Sequence, residues 1–229
     1  MLTIFCTKVG TRYGPEYVNR LYAMVERHLT VEHKFVCTTD NPKRINKKIE
    51  IHEPRHKCWG WWNLQEAYSN PDWAEGGPIW YTGLDTVITG NFDRAVIGRN
   101  KLTLINDFSC LFPYKLAPNT IQHTYYEGTW ADGIAYIPPG GIPGLWEMFL
   151  EKVPPDSQFP MHVWNTYYYR ERGFVPDVYQ EVEPGLVCSF KWPEPKLEQP
   201  PEPICCFHGE PRPKDVVKGI GWIKEHWRC

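Results

Sequence analysis

The chain has 229 residues and a mass of 26.8 kDa, with 42% hydrophobic and 23% charged residues. A globular chain of this length can bury a substantial core, and we predict a single domain over residues 1–229. Lys and Arg total 25 against 27 Asp and Glu, so the net charge of −2 does not favour a nucleic-acid binder that relies on counterion release. No apolar run reaches the roughly 20 residues of a membrane-spanning helix, and Met1–Cys6 is too short for a secretory signal. We therefore expect no membrane partner.

Eight cysteines are spread along the chain, and none forms a C-x-x-C pair that would indicate a zinc ribbon. The adjacent Cys205 and Cys206 are a poor frame for a disulfide, and several other cysteines lie in apolar runs. Free thiols in such runs behave as small hydrophobic groups. The pattern predicts reduced thiols and a cytoplasmic location.

The first 52 residues read as strand, helix, strand and strand, which is typical of a nucleotide-binding α/β half. After a polar loop and Pro15, apolar residues recur with helical spacing from Glu16 to Leu29. The predicted strands are Leu2–Thr7, Lys34–Thr39 and Ile49–His52. We predict an α/β fold of Rossmann type, with a mixed central sheet flanked by helices.

The rest of the chain continues to alternate apolar strands with helical segments. Trp192–Pro203 is rich in proline and charge, so we expect an exposed arm there. Helices are predicted at Trp61–Tyr68, Pro143–Lys152, Met161–Arg172 and Gly221–Cys229, and strands at Pro78–Thr82, Trp130–Ile137, Val187–Lys191 and Ile204–Phe207.

Three polar groups adjoin apolar strands, and open α/β sheets bind ligands at such strand ends. Asp85 and His208 each follow a strand, and Asp132 precedes Gly133 at a third strand-to-loop position. Each residue alone is also typical of a turn or a helix cap. Together they predict one site at one edge of the sheet. The loop Lys8–Thr11 could cradle a phosphate with its amides and an ammonium group.

Six segments along nearly the whole chain carry recognisable motifs. They are Thr7–Tyr22, Gly60-Trp61-Trp62, Ile79–Asp93, Ser189-Phe190-Lys191, Cys206–Pro213 and His226-Trp227. Together they resemble the motifs of small bacterial and phage glycosyltransferases of the GT-A fold, a group distantly similar to the family-8, glycogenin-like retaining enzymes. Cys206–Pro213 is the most specific, since it resembles that group's Phe-His-Gly-x-Pro-Lys-Pro signature, and Ile79–Asp93 resembles its metal-binding strand end.

The resemblance implies transfer of a sugar from a nucleotide-sugar donor, of the UDP-sugar class, to a glycan, a protein or a modified base. It implies retention of anomeric configuration and a Mn²⁺ or Mg²⁺ ion that neutralises the leaving diphosphate. The implied metal ligands are Asp85 and His208, and Tyr13 would lie near the base. The implied nucleotide-sugar site comprises Thr7, Lys8, Gly10, Tyr13, Leu84, Asp85, Asp132, Gly133, His208, Gly209, Arg212 and Lys214.

The chain departs from this pattern at three polar positions. Gly83 replaces the first acid of the Asp-x-Asp motif, and Asn63-Leu64 stands where the group carries a lysine. Pro160-Met161-His162 stands where a Gly-Asp-Gln helix start is expected. The changes leave three interpretations open: an altered donor, metal-independent chemistry, or lost activity. Cations that could stabilise a diphosphate directly are Lys8, Arg55, Lys57, Lys191, Arg212 and Lys214, and Asp107 or Asp132 could supply an acid.

Two other functions remain compatible with these residues. The altered motif positions are also typical of a catalytically inactive protein that binds nucleotide sugars or glycans on the same fold. The basic clusters at 43–48 and 55–57 are compatible with a transferase acting on modified nucleic-acid bases, although solvated loops explain them better.

Overall fold

The computed structural model describes residues 1–56, 60–108, 129–154, 160–200 and 202–229. The strands are β1 (Leu2–Lys8), β2 (His33–Thr39), β3 (Glu50–His52), β4 (Ile79–Thr82), β5 (Thr86–Ile88), β6 (Thr103–Asn106), β7 (Trp130–Ile137), β8 (Asp177–Val178), β9 (Val187–Ser189) and β10 (Ile204–Cys206). The helices are α1 (Pro15–His28), α2 (Gln65–Tyr68), α3 (Leu145–Lys152), α4 (Met161–Glu171), α5 (Tyr179–Val182), α6 (Pro213–Val216) and α7 (Gly221–His226).

Seven strands form a mixed sheet in the order β3–β2–β1–β4–β7–β6–β8. Strands β1 to β4 are mutually parallel, whereas β7 runs antiparallel to both of its neighbours, β4 and β6. This arrangement confirms the predicted α/β fold with a mixed central sheet. A second sheet has the order β5–β10–β9, in which β10 is antiparallel to β5 and parallel to β9.

The two faces of the central sheet bury different hydrophobic clusters, because side chains of a strand alternate between faces. Ile4 and Trp80 point to the face covered by α1 and the second sheet. Phe5 and Ile79 point to the opposite face, which α2, α3 and α4 cover with many aromatic rings. Both faces are therefore buried under apolar side chains, as is typical of strands with continuous apolar runs.

The carboxyl-terminal segment closes the first of these faces. Trp227 is 2% exposed, its ring lies 5.0 Å from that of Tyr17, and the Arg20 guanidinium stacks on it at 4.0 Å. Arg27 at the end of α1 donates hydrogen bonds to the carbonyl oxygens of His226 (2.6 Å) and Arg228 (3.2 Å). Trp227 is thus part of the core that α1 covers.

Several predicted boundaries were wrong. The predicted helix Trp61–Tyr68 is a 3₁₀ turn at Gly60–Leu64 followed by the single turn of α2. The last strands are shorter than predicted, ending at Ser189 and Cys206. Lys8 belongs to β1 rather than to the loop, since its backbone pairs with Thr39 of β2. Strand β8 and the short helix α5 were not predicted.

In the described part of the chain, no helix is long and apolar enough to cross a membrane. Cys6, Cys37, Cys188, Cys205 and Cys206 are buried free thiols, and Cys229 is exposed. Lys57, Cys58 and Cys110 lie outside the described residues.

The buried face of α1 allows a test of the packing. Leu21 is fully buried between α1 and the sheet, so Leu21→Ala should lower the free energy of unfolding by about 2–5 kcal/mol in urea titrations. Leu150 lies on α3 and is 45% exposed, so Leu150→Ala should change the free energy of unfolding by only about 0.5 kcal/mol. Equal losses in the two variants would contradict the assigned burial.

Candidate active site

Asp85 and His208 come together because β5 and β10 are antiparallel. Asp85 immediately precedes β5, and Thr86 of β5 pairs with Cys206 at the end of β10. The chain leaving β10 therefore passes Asp85, and the Phe207 amide lies 3.3 Å from the Asp85 carbonyl oxygen. Both side chains line one cavity. Residues from distant parts of the sequence thus meet at one edge of the sheet.

Asp132 reaches the same place from β7. Because β7 is antiparallel to β4, it begins where β4 ends, and the Gly83 amide donates to the Gly133 carbonyl oxygen at 2.9 Å. Asp132 lies inside β7, so the expected strand-to-loop position was wrong, although the residue still faces the cavity.

The cavity has a volume of about 440 Å³ and opens at this edge of the sheet. The cavity walls include the three predicted polar residues, Asp85, Asp132 and His208, and most of the remaining wall surface is apolar. The lining residues include Arg12, Trp61, Tyr81, Gly83, Asp85, Asp107, Phe108, Asp132, Gly133, Met161, His162 and His208. An apolar pocket with a few convergent polar groups is the usual form of a small-molecule site.

Asp132 is held by a buried polar network. Its carboxylate accepts hydrogen bonds from the Tyr68 hydroxyl at 2.5 Å and the Asn165 amide at 3.2 Å. Gln65 in turn donates to the Asn165 carbonyl oxygen at 2.5 Å. Burial raises the pKa of Asp132, although both hydrogen bonds oppose that shift. The network fixes the carboxylate in one orientation at the cavity wall.

The His208 ring is fixed on two sides. It stacks on Phe108 with ring centroids 5.6 Å apart, and its Nε2 lies 2.6 Å from the Ser189 hydroxyl. Burial and the nearby Lys191 ammonium lower the pKa of His208 to about 4. At neutral pH the imidazole is therefore uncharged. Its backbone has a φ of 35°, a left-handed value that side-chain-bearing residues rarely adopt.

Asp85 is tied to the first loop by Tyr13, whose hydroxyl donates to Asp85 Oδ2 at 3.1 Å. Burial first, and then the Asp85 charge, raise the pKa of that hydroxyl. The guanidinium groups of Arg12 and Arg212 lie 5.6 Å and 5.2 Å from the Tyr13 ring. Cations from two distant loops thus flank the Tyr13 ring, whose hydroxyl binds Asp85.

The remaining predicted residues lie at varying distances from the cavity. The Gly10 amide donates to Asp40 at 2.9 Å, with a φ of 75°, and Gly209 lies beside Asp85 with a φ of 103°. Leu84 is buried in the core, so only its backbone can face a ligand. Thr7 and Lys8 end β1 without lining the cavity, and Lys214 is exposed on α6. Of the proposed cations, Arg55 contacts Ser69 and Trp146.

The donor set does not fit a divalent cation well. Gly83 offers no carboxylate, Asp85 Oδ2 already accepts from Tyr13, and His208 Nε2 already contacts Ser189. Asp132 is held by Tyr68 and Asn165, and Asp107 lies 3.5 Å from His162. Within the described ranges, no group of three His, Cys, Asp or Glu side chains could hold a metal. Mn²⁺ and Mg²⁺ prefer oxygen-rich sites.

Sequence reasoning missed the residues that hold the site in place. Tyr68, Asn165 and Gln65 support Asp132 from helices more than thirty residues away. Ser189 belongs to a motif noted above, but its support of His208 from β9 was not predicted. Such pairings depend on helix docking and strand register, for which the sequence carries no local signal.

No family model and no curated protein matches the chain. Solved structures do match: the galactosyltransferase LgtC in complex with donor and acceptor sugar analogues has a TM-score of 0.57 at 12% identity. An active-site mutant of LgtC has a TM-score of 0.55 at the same identity. Each alignment covers 98% of this chain and 94% of the other. The chain therefore has the GT-A glycosyltransferase fold, as the motifs predicted, and at this identity the likeness shows the fold alone.

The raised pKa of Asp132 predicts a pH-dependent stability. Since the folded state favours the protonated carboxyl, the free energy of unfolding should fall as pH rises from about 3.9, the ordinary value, through the folded pKa. Asp132→Asn removes this titration while keeping an acceptor for Tyr68. In urea titrations from pH 4 to 7, the free energy of unfolding should decline less in the variant than in the wild type.

The matched control is Asp72→Asn, which changes an exposed residue of the same type. Its stability should follow the wild-type pH profile. If Asp132→Asn follows that profile as well, Asp132 does not titrate as its burial requires.

Proposed function

We propose that this chain is a glycosyltransferase that moves a sugar from a nucleotide-sugar donor, of the UDP-sugar class, to an acceptor hydroxyl. The observation that carries the proposal is the convergence of Asp85, Asp132 and His208 on one cavity at the strand-end edge of a GT-A fold. Open α/β sheets bind nucleotides at this edge. The resemblance of the sequence motifs supports the same assignment.

The proposed site divides into a diphosphate side and a sugar side. Asp85, His208 and Gly209 lie on the diphosphate side, where the nearby cations Arg12 and Arg212 favour a negatively charged ligand. Asp132 and Gly133 lie on the sugar side, together with the flat ring of Trp61. Aromatic rings offer the apolar surface on which the hydrophobic face of a sugar packs.

In the proposed reaction, the bond between the anomeric carbon and the diphosphate oxygen breaks, and the oxygen keeps the electron pair. The acceptor oxygen forms the new bond on the same face of the sugar, so the configuration is retained. The acceptor proton passes to the departing diphosphate. The fixed Asp132 carboxylate stabilises positive charge that develops at the anomeric carbon in the transition state.

This function predicts both a substrate class and a sensitive residue. Among nucleotide sugars based on uracil, guanine, adenine and cytosine, a UDP-sugar should be turned over, with UDP release as the readout. Asp132→Asn should lower kcat about 100-fold, because it removes the charge but keeps the hydrogen bond from Tyr68. Asp72→Asn should keep wild-type kcat.

Two results would count against the enzyme. Tight binding of a nucleotide sugar without turnover or transfer would favour the inactive, binding-only alternative on the same fold. Absence of binding across the whole panel would exclude a nucleotide-sugar site altogether.

A further inference from the structure

We infer that the donor diphosphate is held without a divalent metal, and that the Lys191 ammonium supplies the positive charge that a metal would otherwise provide. This inference rests on the proposed function, because it concerns the diphosphate side of the same site. It follows from the hydrogen-bond capacities of His208, Asp85 and Lys191.

His208 offers no lone pair to a metal in this arrangement. The Ser189 hydroxyl oxygen accepts hydrogen bonds from the amides of Lys191 and Trp192, each at 3.0 Å. Two N–H donors fill both of its lone pairs, so its own proton must be donated to His208 Nε2 at 2.6 Å. Nε2 is therefore an acceptor, and the neutral ring carries its proton on Nδ1. A metal at either nitrogen would require this arrangement to break.

Asp85 offers only part of a metal site. Its Oδ2 accepts from Tyr13 at 3.1 Å, which leaves Oδ1 for a further partner. A side chain at position 83 would place its Cβ 3.0 Å from that Oδ1, closer than most real Cβ contacts. The Asp85 carboxylate thus crowds the space that the Cβ of any larger residue at position 83 would occupy.

Lys191 is placed to serve as the cation. It follows β9, which is parallel to β10, so the strand register carries it beside the His208–Glu210 loop. Its Nζ donates to the carbonyl oxygens of His208 at 2.9 Å and Glu210 at 3.1 Å. An ammonium has three N–H donors, and the third has no partner in the described part of the chain.

Gly209 keeps that ammonium accessible. A Cβ at this position would lie 3.7 Å from Lys191 Nζ, in van der Waals contact, and would cover one side of it. Burial lowers the pKa of Lys191, and the charges of Asp85 and Glu210 oppose that shift. Lys191 is not itself one of the residues that line the cavity, but its ammonium lies next to His208 and Gly209 on the diphosphate side. Within the described ranges its remaining N–H donor is directed to no protein group.

Lys191 acts on the reaction through the electrostatic stabilisation of the leaving diphosphate. When the anomeric carbon–oxygen bond breaks, the electron pair stays on the diphosphate and increases its negative charge. The fixed ammonium stabilises that charge through a charge-assisted hydrogen bond and transfers no proton. Lys191 thus acts on the leaving group while its other two hydrogen bonds keep it in place.

The test is calorimetric binding of UDP, inorganic pyrophosphate and uridine to the full chain, with EDTA or with Mn²⁺. UDP should bind equally well in both conditions. Lys191→Met should weaken UDP and pyrophosphate binding by about tenfold or more, because a charged hydrogen bond is lost. Uridine binding should not change, since uridine carries no phosphate. Lys224→Met, an exposed lysine of α7, is the matched control and should bind all three ligands as the wild type does.

Each contrary outcome overturns a defined part of the inference. UDP binding that requires Mn²⁺ would contradict metal independence. UDP and pyrophosphate affinities in Lys191→Met that equal those of Lys224→Met would remove Lys191 from the site. Equal loss of uridine and UDP binding would assign Lys191 a purely structural role. If the Met variant does not fold, Lys191→Gln removes the charge while keeping donors for the two carbonyls, and the same criteria apply.

Absence of a nucleotide-sugar site, which would remove the basis of the proposed function, gives a different result. In that case neither UDP nor any other nucleoside diphosphate binds the wild type, with or without Mn²⁺. A metal-dependent site, by contrast, binds UDP in the presence of Mn²⁺ and leaves the proposed function intact.

Discussion

Two antiparallel strand pairs determine where the chemistry of this protein can take place. Strand β7 against β4 brings Asp132 to the end of the central sheet, and β10 against β5 brings His208 to Asp85. In a wholly parallel sheet these residues would lie at opposite ends of their strands. The register of a few backbone hydrogen bonds therefore decides whether Asp85, Asp132 and His208 share one cavity.

The sequence predicted the fold class and the convergence of the site, because both follow from periodicity and from strand ends. Short elements were harder to predict: α2 and the 3₁₀ turn before it are held by burial of Trp62 and Leu64 rather than by helical propensity. Asp132 was placed at a strand-to-loop position because it precedes Gly133, whereas in the structure burial partners hold it inside β7. Those partners, Tyr68 and Asn165, come from α2 and α4, whose docking no local pattern encodes.

The Ser189 hydroxyl determines the hydrogen-bonding role of the His208 ring, which it contacts although the two are separate in the sequence. The Ser189 hydroxyl oxygen accepts hydrogen bonds from two backbone amides of the turn that follows it. Its own proton is therefore donated to His208 Nε2, which fixes that nitrogen as an acceptor. A motif comparison identifies the histidine but not its protonation. The same turn carries Lys191 to its carbonyl partners, so the hydrogen bond between Ser189 and the imidazole and the position of the ammonium have a common structural origin.

Packing of Trp227 also has a consequence for folding. Trp227 shares one core with strand β1, although the two lie far apart in the sequence. Contacts of long sequence separation are slow to form, because a long loop must be closed before they stabilise the chain. Until they form, the apolar surface of this core stays exposed, and exposed apolar surface is what makes a partly folded chain prone to aggregation.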